Sequence, residues 1–307
     1  MTPPRRHLPG EVVMMTRRCT DGHFFLRPDP FINDVLAYEF ARASQRSGLH
    51  VHAAMALSNH THTVATDPKA QRSLFMQSLM KEVASRRNRD LQRRGPLWQP
   101  NHKYNDTVLL DPQAIEDRLL YVWLNPVKDG LVDKVEDWPG FKILPRHWGK
   151  PLTIDVPQQT YGRNSPKTIT FTPQPPPVPL GMNLEEKRSY YEAKIAAQEQ
   201  SFRAQRDQEG TRVLGRKAIL ARDPFAMPKE ELPSCPVGPF FATADHDLWK
   251  QARDTYRDFL NLYDRARRKL RAGKPVTFPA GTVKLAREGP VRCHPRPDDM
   301  PGFFASG

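Results

Sequence analysis

Residues 49–66 read LHVHAAMALSNHTHTVAT and lie at the centre of the predicted fold. Residues 49–57 alternate loosely between apolar and polar side chains, as a half-buried strand does. Residues 58–59, Ser-Asn, are a turn signal, and the β-prone stretch 60–66 follows at once. Two such stretches joined by so short a turn predict a β-hairpin.

Three helices are predicted around this hairpin, each introduced by an Asp-Pro pair: Asp29-Pro30, Asp67-Pro68 and Asp111-Pro112. An Asp caps the free amides of a first helical turn, and a proline just inside that turn sacrifices no hydrogen bond. Apolar side chains then recur at helical spacing. The predicted helices cover about 30–46, 68–92 and 112–125.

Two further strands complete the first half of the chain, at residues 12–16 and 107–110. The order strand, helix, hairpin, helix, strand, helix is that of the split βαβ arrangement. We therefore expect an α+β fold, a ferredoxin-like antiparallel sheet with its helices on one face.

The composition changes after residue 150. Residues 151–182 are rich in proline, which predicts an extended linker. Residues 184–209 and 245–272 have helical patterns. The expected organisation is a catalytic-type domain over 1–150, a linker over 151–182 and a mostly helical extension of unassigned role over 183–307.

Overall composition limits the classes of function. The 307 residues are 38% hydrophobic and carry a formal net charge of +13, which favours a polyphosphate partner. No apolar run reaches the roughly 20 residues of a membrane helix, so we expect no membrane partner. Three widely separated cysteines and an N-terminus without an apolar stretch favour a reducing, cytoplasmic compartment.

His60 and His62 are the first candidate site residues. Alternate residues of a strand project from the same face, so the two imidazoles can converge on one divalent metal ion. The alternative is a pair of half-exposed polar side chains on a strand.

Tyr121 and Asn125 are the second pair, and a spacing of four places them on the same face of the third helix. A tyrosine hydroxyl can act as a covalent nucleophile, and a metal ion beside it can polarise a phosphate. The alternative is an ordinary aromatic patch with Trp123.

The third feature is a set of basic and aromatic residues suited to nucleic acid, because arginine clamps phosphates and aromatic rings stack on unpaired bases. The alternative is a solvated charged face. The candidates are Arg17, Arg18, Lys81, Arg86, Arg87, Arg93, Arg94, Trp98, Lys103 and Tyr104.

Taken together, these features resemble the single-tyrosine HUH transposases, in particular the REP-associated tyrosine transposases and their insertion-sequence relatives. The resemblance covers roughly residues 5–145. It is carried by MALSNHTH (55–62), FMQSL (75–79), RGPLWQ (94–99) and YVWLNPVKDGLV (121–132). Thr61 and Ser58 depart from the residues usual in that family.

The resemblance implies that His60 and His62 bind a metal ion, Mg²⁺ or Mn²⁺, with Asn125 completing the site and Tyr121 as nucleophile. It implies cleavage and strand transfer of single-stranded DNA with hairpin ends, through a 5′-phosphotyrosine link. A catalytically silent DNA-hairpin-binding regulator is the alternative, and a small-molecule metal hydrolase is a third reading. Whether the chain acts as a homodimer is left open.

Overall fold

The structure, a computed structural model, describes residues 4–100, 104–157, 166–178, 181–228, 240–289 and 291–304. The strands are β1 (Glu11–Arg18), β2 (His50–Ala56), β3 (His60–Asp67), β4 (Asn105–Leu109), β5 (Lys142–Ile143), β6 (Leu152–Asp155), β7 (Thr168–Phe171), β8 (Phe241–Ala242), β9 (Thr277–Phe278) and β10 (Arg292–Cys293). The helices are α1 (Pro30–Ser47), α2 (Arg72–Asp90), α3 (Pro112–Lys128), α4 (Leu184–Glu209), α5 (Arg216–Ala221), α6 (His246–Arg271) and α7 (Val283–Glu288).

The central sheet has six strands in the order β5-β2-β3-β1-β4-β8. All neighbours are antiparallel except β4 and β8, which run parallel. The inner order β2-β3-β1-β4 is the split βαβ arrangement that the sequence predicts. The α+β fold with an antiparallel sheet is therefore confirmed.

The helices, however, lie on both faces of this sheet, and the expectation of a single covered face was wrong. Val13 of β1 belongs to the core that α1 and α2 cover, whereas its neighbour Val12 belongs to a second core, built with α3 and α4. Adjacent residues of a strand point to opposite faces. Because both faces of β1 are apolar, the sheet needs a helical layer on each side.

Helix boundaries follow the predicted capping with one exception. The carboxylates of Asp29 and Asp111 accept hydrogen bonds from the first turns of α1 and α3. The second helix begins only at Arg72, yet Asp67 still accepts from the amides of Gln71 and Arg72 across the intervening turn. The third helix runs three residues past Asn125, with Pro126 inside it.

The chain beyond residue 150 packs against the first half. Strands β6 and β7 form an antiparallel pair, and Phe171 of β7 lies edge-on against Phe40 of α1. Strand β8 extends the central sheet beside β4. The described part of the proline-rich segment thus contributes to the core, while the division of the chain into domains stays a prediction.

None of the helices that the structure describes combines the length and the apolar character that crossing a lipid bilayer takes.

Candidate active site

Strand β3 places the two predicted metal-ligating histidines side by side at the start of the strand. The ring centroids of His60 and His62 are 4.7 Å apart, with the rings nearly perpendicular. His62 is buried and His60 is half-buried. The spacing of two along a strand thus produces the shared face that the sequence predicts.

Each imidazole is held by a hydrogen bond at its Nδ1 atom. Nδ1 of His60 lies 2.7 Å from Oδ1 of Asn59, and Nδ1 of His62 lies 2.8 Å from Oγ1 of Thr16. Because a side-chain carbonyl oxygen can only accept, Nδ1–H of His60 is the donor. Nε2 of that ring therefore carries its lone pair.

Both rings are neutral at neutral pH. Burial and, second, the positive charge of Arg18 lower the pKa of His60 to about 3. The pKa of His62 lies well below its usual value because of burial and then the adjacent His60 and Arg18. A neutral imidazole is the form that binds a metal ion.

Helix α3 brings Tyr121 to the histidine pair. The ring centroids of His62 and Tyr121 are 5.3 Å apart, in an edge-to-face arrangement. Asn125, one turn further along α3, is buried, and its Oδ1 has no hydrogen-bond partner among the described residues. Nε2 of His62 is likewise buried and has no such partner.

Two hydrogen bonds from aromatic side chains and a partly exposed ion pair fix the position of α3. The indole of Trp123 donates a hydrogen bond of 2.8 Å to the carbonyl of Ile143, which ties the helix to β5. On the outer side, Glu116 accepts from the hydroxyl of Tyr190 at 2.8 Å and pairs with Lys194, both on α4. The extension beyond residue 183 therefore supports the helix that carries Tyr121.

A cleft of about 470 Å³ opens beside His60 and Tyr121. His60, Tyr121 and Asn125 line it, and so do three basic side chains and one acidic side chain, which are Arg18, Lys128, Arg222 and Asp129. Lys128 and Arg118 also lie over the ring of Tyr121, each 5.9 Å from its centroid. The cleft is therefore suited to an anionic ligand.

The predicted nucleic-acid residues differ in how accessible they are in the structure. Lys81 and Arg94 are exposed, and Arg18 lines the cleft. Arg17, Arg86 and Arg93 are half-exposed and make hydrogen bonds within the chain. Lys103 lies outside the described residues.

The predictions for Arg87 and Trp98 were wrong, because both side chains are buried and bonded within the fold. Arg87 is buried and pairs with Asp29 and Asp90. Trp98 is buried, and its indole donates to a main-chain carbonyl. The ring of Tyr104 is covered by the guanidinium of Arg5, 4.2 Å from its centroid. Arg87 and Trp98 are therefore structural, whereas Tyr104 is half-buried and its contact with DNA stays a prediction.

Sequence reasoning missed several residues of the site. Thr16 could have been found, because antiparallel pairing of β1 with β3 places it directly opposite His62. Lys128 shares the face of Asn125 by its spacing of three. No signal in the sequence indicates Arg222, which lies about a hundred residues along the chain from Tyr121.

The described residues contain no group of three His, Cys, Asp or Glu side chains placed to hold a metal ion. A metal at this site would therefore use the two imidazoles together with an oxygen ligand of another kind. Oδ1 of Asn125, which has no hydrogen-bond partner among the described residues, is such an oxygen.

No family model matches the chain. A stretch of 109 residues, 33% of the chain, is 28% identical to the Haemophilus influenzae protein named "Putative REP-associated tyrosine transposase". The chain is similar to a REP-associated tyrosine transposase. The resemblance that the motifs predict is thus confirmed, although the chain spans only 61% of the length of that curated relative.

Two solved structures are also similar, at low scores. One is titled as a REP-associated tyrosine transposase bound to a REP hairpin, at 21% identity and a TM-score of 0.38 over 48% of this chain and 85% of that one. The other, a "putative transposase" from Deinococcus radiodurans R1, has 18% identity and a TM-score of 0.27 over 34% and 84%.

Proposed function

We propose that the protein cleaves single-stranded DNA and rejoins it to another strand, with Tyr121 as nucleophile and a divalent metal ion held by His60, His62 and Asn125. The observation that carries this proposal is the distance of 5.3 Å between the rings of His62 and Tyr121. The similarity to a REP-associated tyrosine transposase supports it. The substrate would be DNA with hairpin ends.

The residues present fit a metal ion. Nε2 of His62 and Oδ1 of Asn125 are buried without a hydrogen-bond partner among the described residues, and such atoms are costly unless something binds them. Mg²⁺ or Mn²⁺ bound there would polarise the scissile phosphate and stabilise its developing charge. Because two ligands are imidazoles, which bind Mn²⁺ better than Mg²⁺, we expect Mn²⁺ to bind more tightly.

The chain's own residues supply the nucleophile and the charge around it. The phenol oxygen of Tyr121 forms a bond to phosphorus while the bond from phosphorus to the 3′-oxygen breaks. The phenol proton passes to solvent, and the departing oxygen takes a proton from solvent. Lys128 and Arg118 place positive charge beside the ring, where the phosphate would bind.

The product is a 5′-phosphotyrosine link and a free 3′-hydroxyl. Attack on this link by the 3′-hydroxyl of another strand reverses the chemistry, so no external energy source is needed. Tyr121 and its three partners all belong to one chain, and a homodimer stays a prediction.

The test is a denaturing gel of protein incubated with Mn²⁺ and labelled single-stranded oligonucleotides taken from the DNA that flanks its gene. We expect the wild-type protein to carry a covalent DNA adduct and Tyr121→Phe to lose it. Tyr190→Phe is the matched control, because its hydroxyl bonds to Glu116 away from the cleft. An adduct that persists in Tyr121→Phe would contradict the nucleophile. Hairpin binding without any wild-type cleavage would favour the silent binder.

A further inference from the structure

The extension beyond residue 183 contributes one wall of the cleft. Residues 214–228, here called the wall segment, are anchored at their start to the end of the Tyr121 helix. The amides of Leu214 and Gly215 donate hydrogen bonds of 2.9 Å to the carbonyls of Gly130 and Leu131. The wall segment thus leaves from the turn that follows α3.

The other end of the wall segment is fastened to the loop after β1. The amide of Phe24 donates to the carbonyl of Ala226 at 3.0 Å. The guanidinium of Arg27 donates to the carbonyls of Leu220 and Arg222, at 3.2 and 3.1 Å. The wall segment therefore spans between the Tyr121 side of the cleft and the strand that carries Arg18.

Four of its side chains line the same cleft as His60 and Tyr121; they are Leu214, Ile219, Arg222 and Pro228. Arg222 is the charged one. It is half-buried, and its guanidinium carbon lies 5.0 Å from the ring centroid of Phe24. It forms no ion pair with any residue in the described part of the chain.

The charged side chains that line the cleft favour an anion near Arg222. Arg18 and Lys128 line the cleft as well, and neither forms an ion pair with a described residue. Asp129 is the acidic side chain of the lining, set against three cations. A planar guanidinium in such a place matches the geometry of a phosphate, which it can bind through two parallel hydrogen bonds.

We propose that Arg222 binds a backbone phosphate of the single-stranded DNA that runs through the cleft, next to the phosphate that Tyr121 attacks. This inference rests on the function proposed above, and it gives the extension a role in holding the substrate. The wall segment then does two things. It forms one side of the cleft, and it adds a phosphate contact to those that Arg18 and Lys128 can make.

The experiment measures the affinity of the full chain for fluorescein-labelled dT12 by fluorescence anisotropy, without divalent metal, over a series of salt concentrations. Loss of one charged hydrogen-bonding contact in Arg222→Gln should weaken binding about tenfold. It should also lower the slope of log affinity against log salt by about 0.7, the value for one phosphate of a single strand. Arg222→Lys keeps the charge and should keep the slope.

Lys217→Gln is the matched control, because Lys217 is exposed on α5 and does not line the cleft. It should bind dT12 as the wild type does. A purely structural role, in which Arg222 only packs on Phe24, predicts weaker binding by Arg222→Gln with an unchanged salt slope. Weaker binding by Arg222→Gln with an unchanged salt slope would overturn the inference. An affinity of Arg222→Gln equal to that of the wild type would overturn it as well.

The proposed cleavage by Tyr121 and the proposed phosphate contact of Arg222 can be disproved independently. If wild-type protein forms the Tyr121 adduct while Arg222→Gln keeps the full salt slope, the phosphate contact is wrong and the nuclease stands. If Arg222→Gln loses slope while no adduct ever forms, the protein binds DNA through the cleft without cutting it.

Discussion

Thr16 and His62 face each other across neighbouring strands, and Oγ1 of Thr16 lies 2.8 Å from Nδ1 of His62. When Nδ1–H donates to this hydroxyl, Nε2 carries the lone pair, and Nε2 is buried without a hydrogen-bond partner among the described residues. Asn59 does the same for the other ring. Groups that hold a histidine in this way fix its tautomer and orientation for a metal ion.

Thr16→Val should therefore weaken metal binding. The substitution keeps the shape of the side chain and removes the acceptor. We expect Mn²⁺ affinity to fall about 10- to 100-fold, the usual effect of losing a hydrogen bond behind a metal ligand. Electron paramagnetic resonance of free Mn²⁺ measures this without any DNA. Thr16→Ser should restore affinity, and Mn²⁺ affinity in Thr16→Val equal to that of wild type would show that the hydroxyl does not orient His62.

His60→Ala should separate DNA binding from cleavage. The imidazole lines the cleft but is neutral, so its loss removes a proposed metal ligand without removing a phosphate-binding charge. We expect no detectable adduct on the denaturing gel. Anisotropy with a hairpin oligonucleotide should give an affinity within about twofold of wild type, because binding depends on basic side chains.

His50→Ala is the control for this variant, since His50 lies at the far end of the same hairpin, opposite Thr66. It should cut and bind normally. Cleavage at the normal rate by His60→Ala would remove the metal-binding role.

Much of the fold could be predicted because its signals are local. Two β-prone stretches around a two-residue turn predict the hairpin 49–66, and Asp29 and Asp111 mark where helices begin. The same locality brings His60 and His62 together, and a spacing of four aligns Tyr121 with Asn125. Local spacing therefore predicts that the two residues of each pair share a face, on β3 and on α3.

The remainder depends on contacts between distant residues. Val12 and Val13 both look like core residues in sequence, and only the folded sheet shows that they belong to cores on opposite faces. Arg87 looks like a DNA contact until Asp29, 58 residues away, is seen to pair with it. No periodicity encodes such pairs, because they arise when separate elements pack.

A buried cluster around Arg72 stabilises the junction of β1, β4 and α2. The guanidinium of Arg72 bonds to Glu11 at 2.6 Å and to Asp106 at 3.0 Å. Arg72→Met should lower the free energy of unfolding by about 3–5 kcal/mol, because buried Glu11 loses its ion-pair partner and Asp106 keeps only its pairs with Arg5 and His7. Urea unfolding monitored by circular dichroism measures this.

Arg86→Met is the comparison, because Arg86 pairs with Glu82 at 3.0 Å on the more accessible side of α2. A partly exposed pair of this kind contributes about 1 kcal/mol or less. Equal losses in the two variants would show that burial does not set the strength of the Arg72 cluster.

The last prediction concerns the loss of stability in acid and the buried ring of His52. Nδ1–H of His52 donates to the carbonyl of Gln174 at 3.0 Å, and Nε2 accepts from the hydroxyl of Thr66 at 2.8 Å. Burial lowers the pKa of His52 to about 4. In the unfolded chain the same ring has a pKa near 6.5.

Between these two values the unfolded state binds a proton that the folded state does not. The contribution of His52 is therefore fully present above about pH 6.5 and is lost as the pH falls towards 4. A difference of this size corresponds to about 3 kcal/mol. His52→Gln can keep both hydrogen bonds and does not titrate. Its free energy of unfolding, measured in urea from pH 7 to pH 4, should fall by about 3 kcal/mol less than that of the wild type. Other buried histidines titrate in both proteins and cancel in this comparison. Equal losses of unfolding free energy between pH 7 and pH 4 in the two proteins would mean that the His52 ring takes up its proton without cost in the folded state.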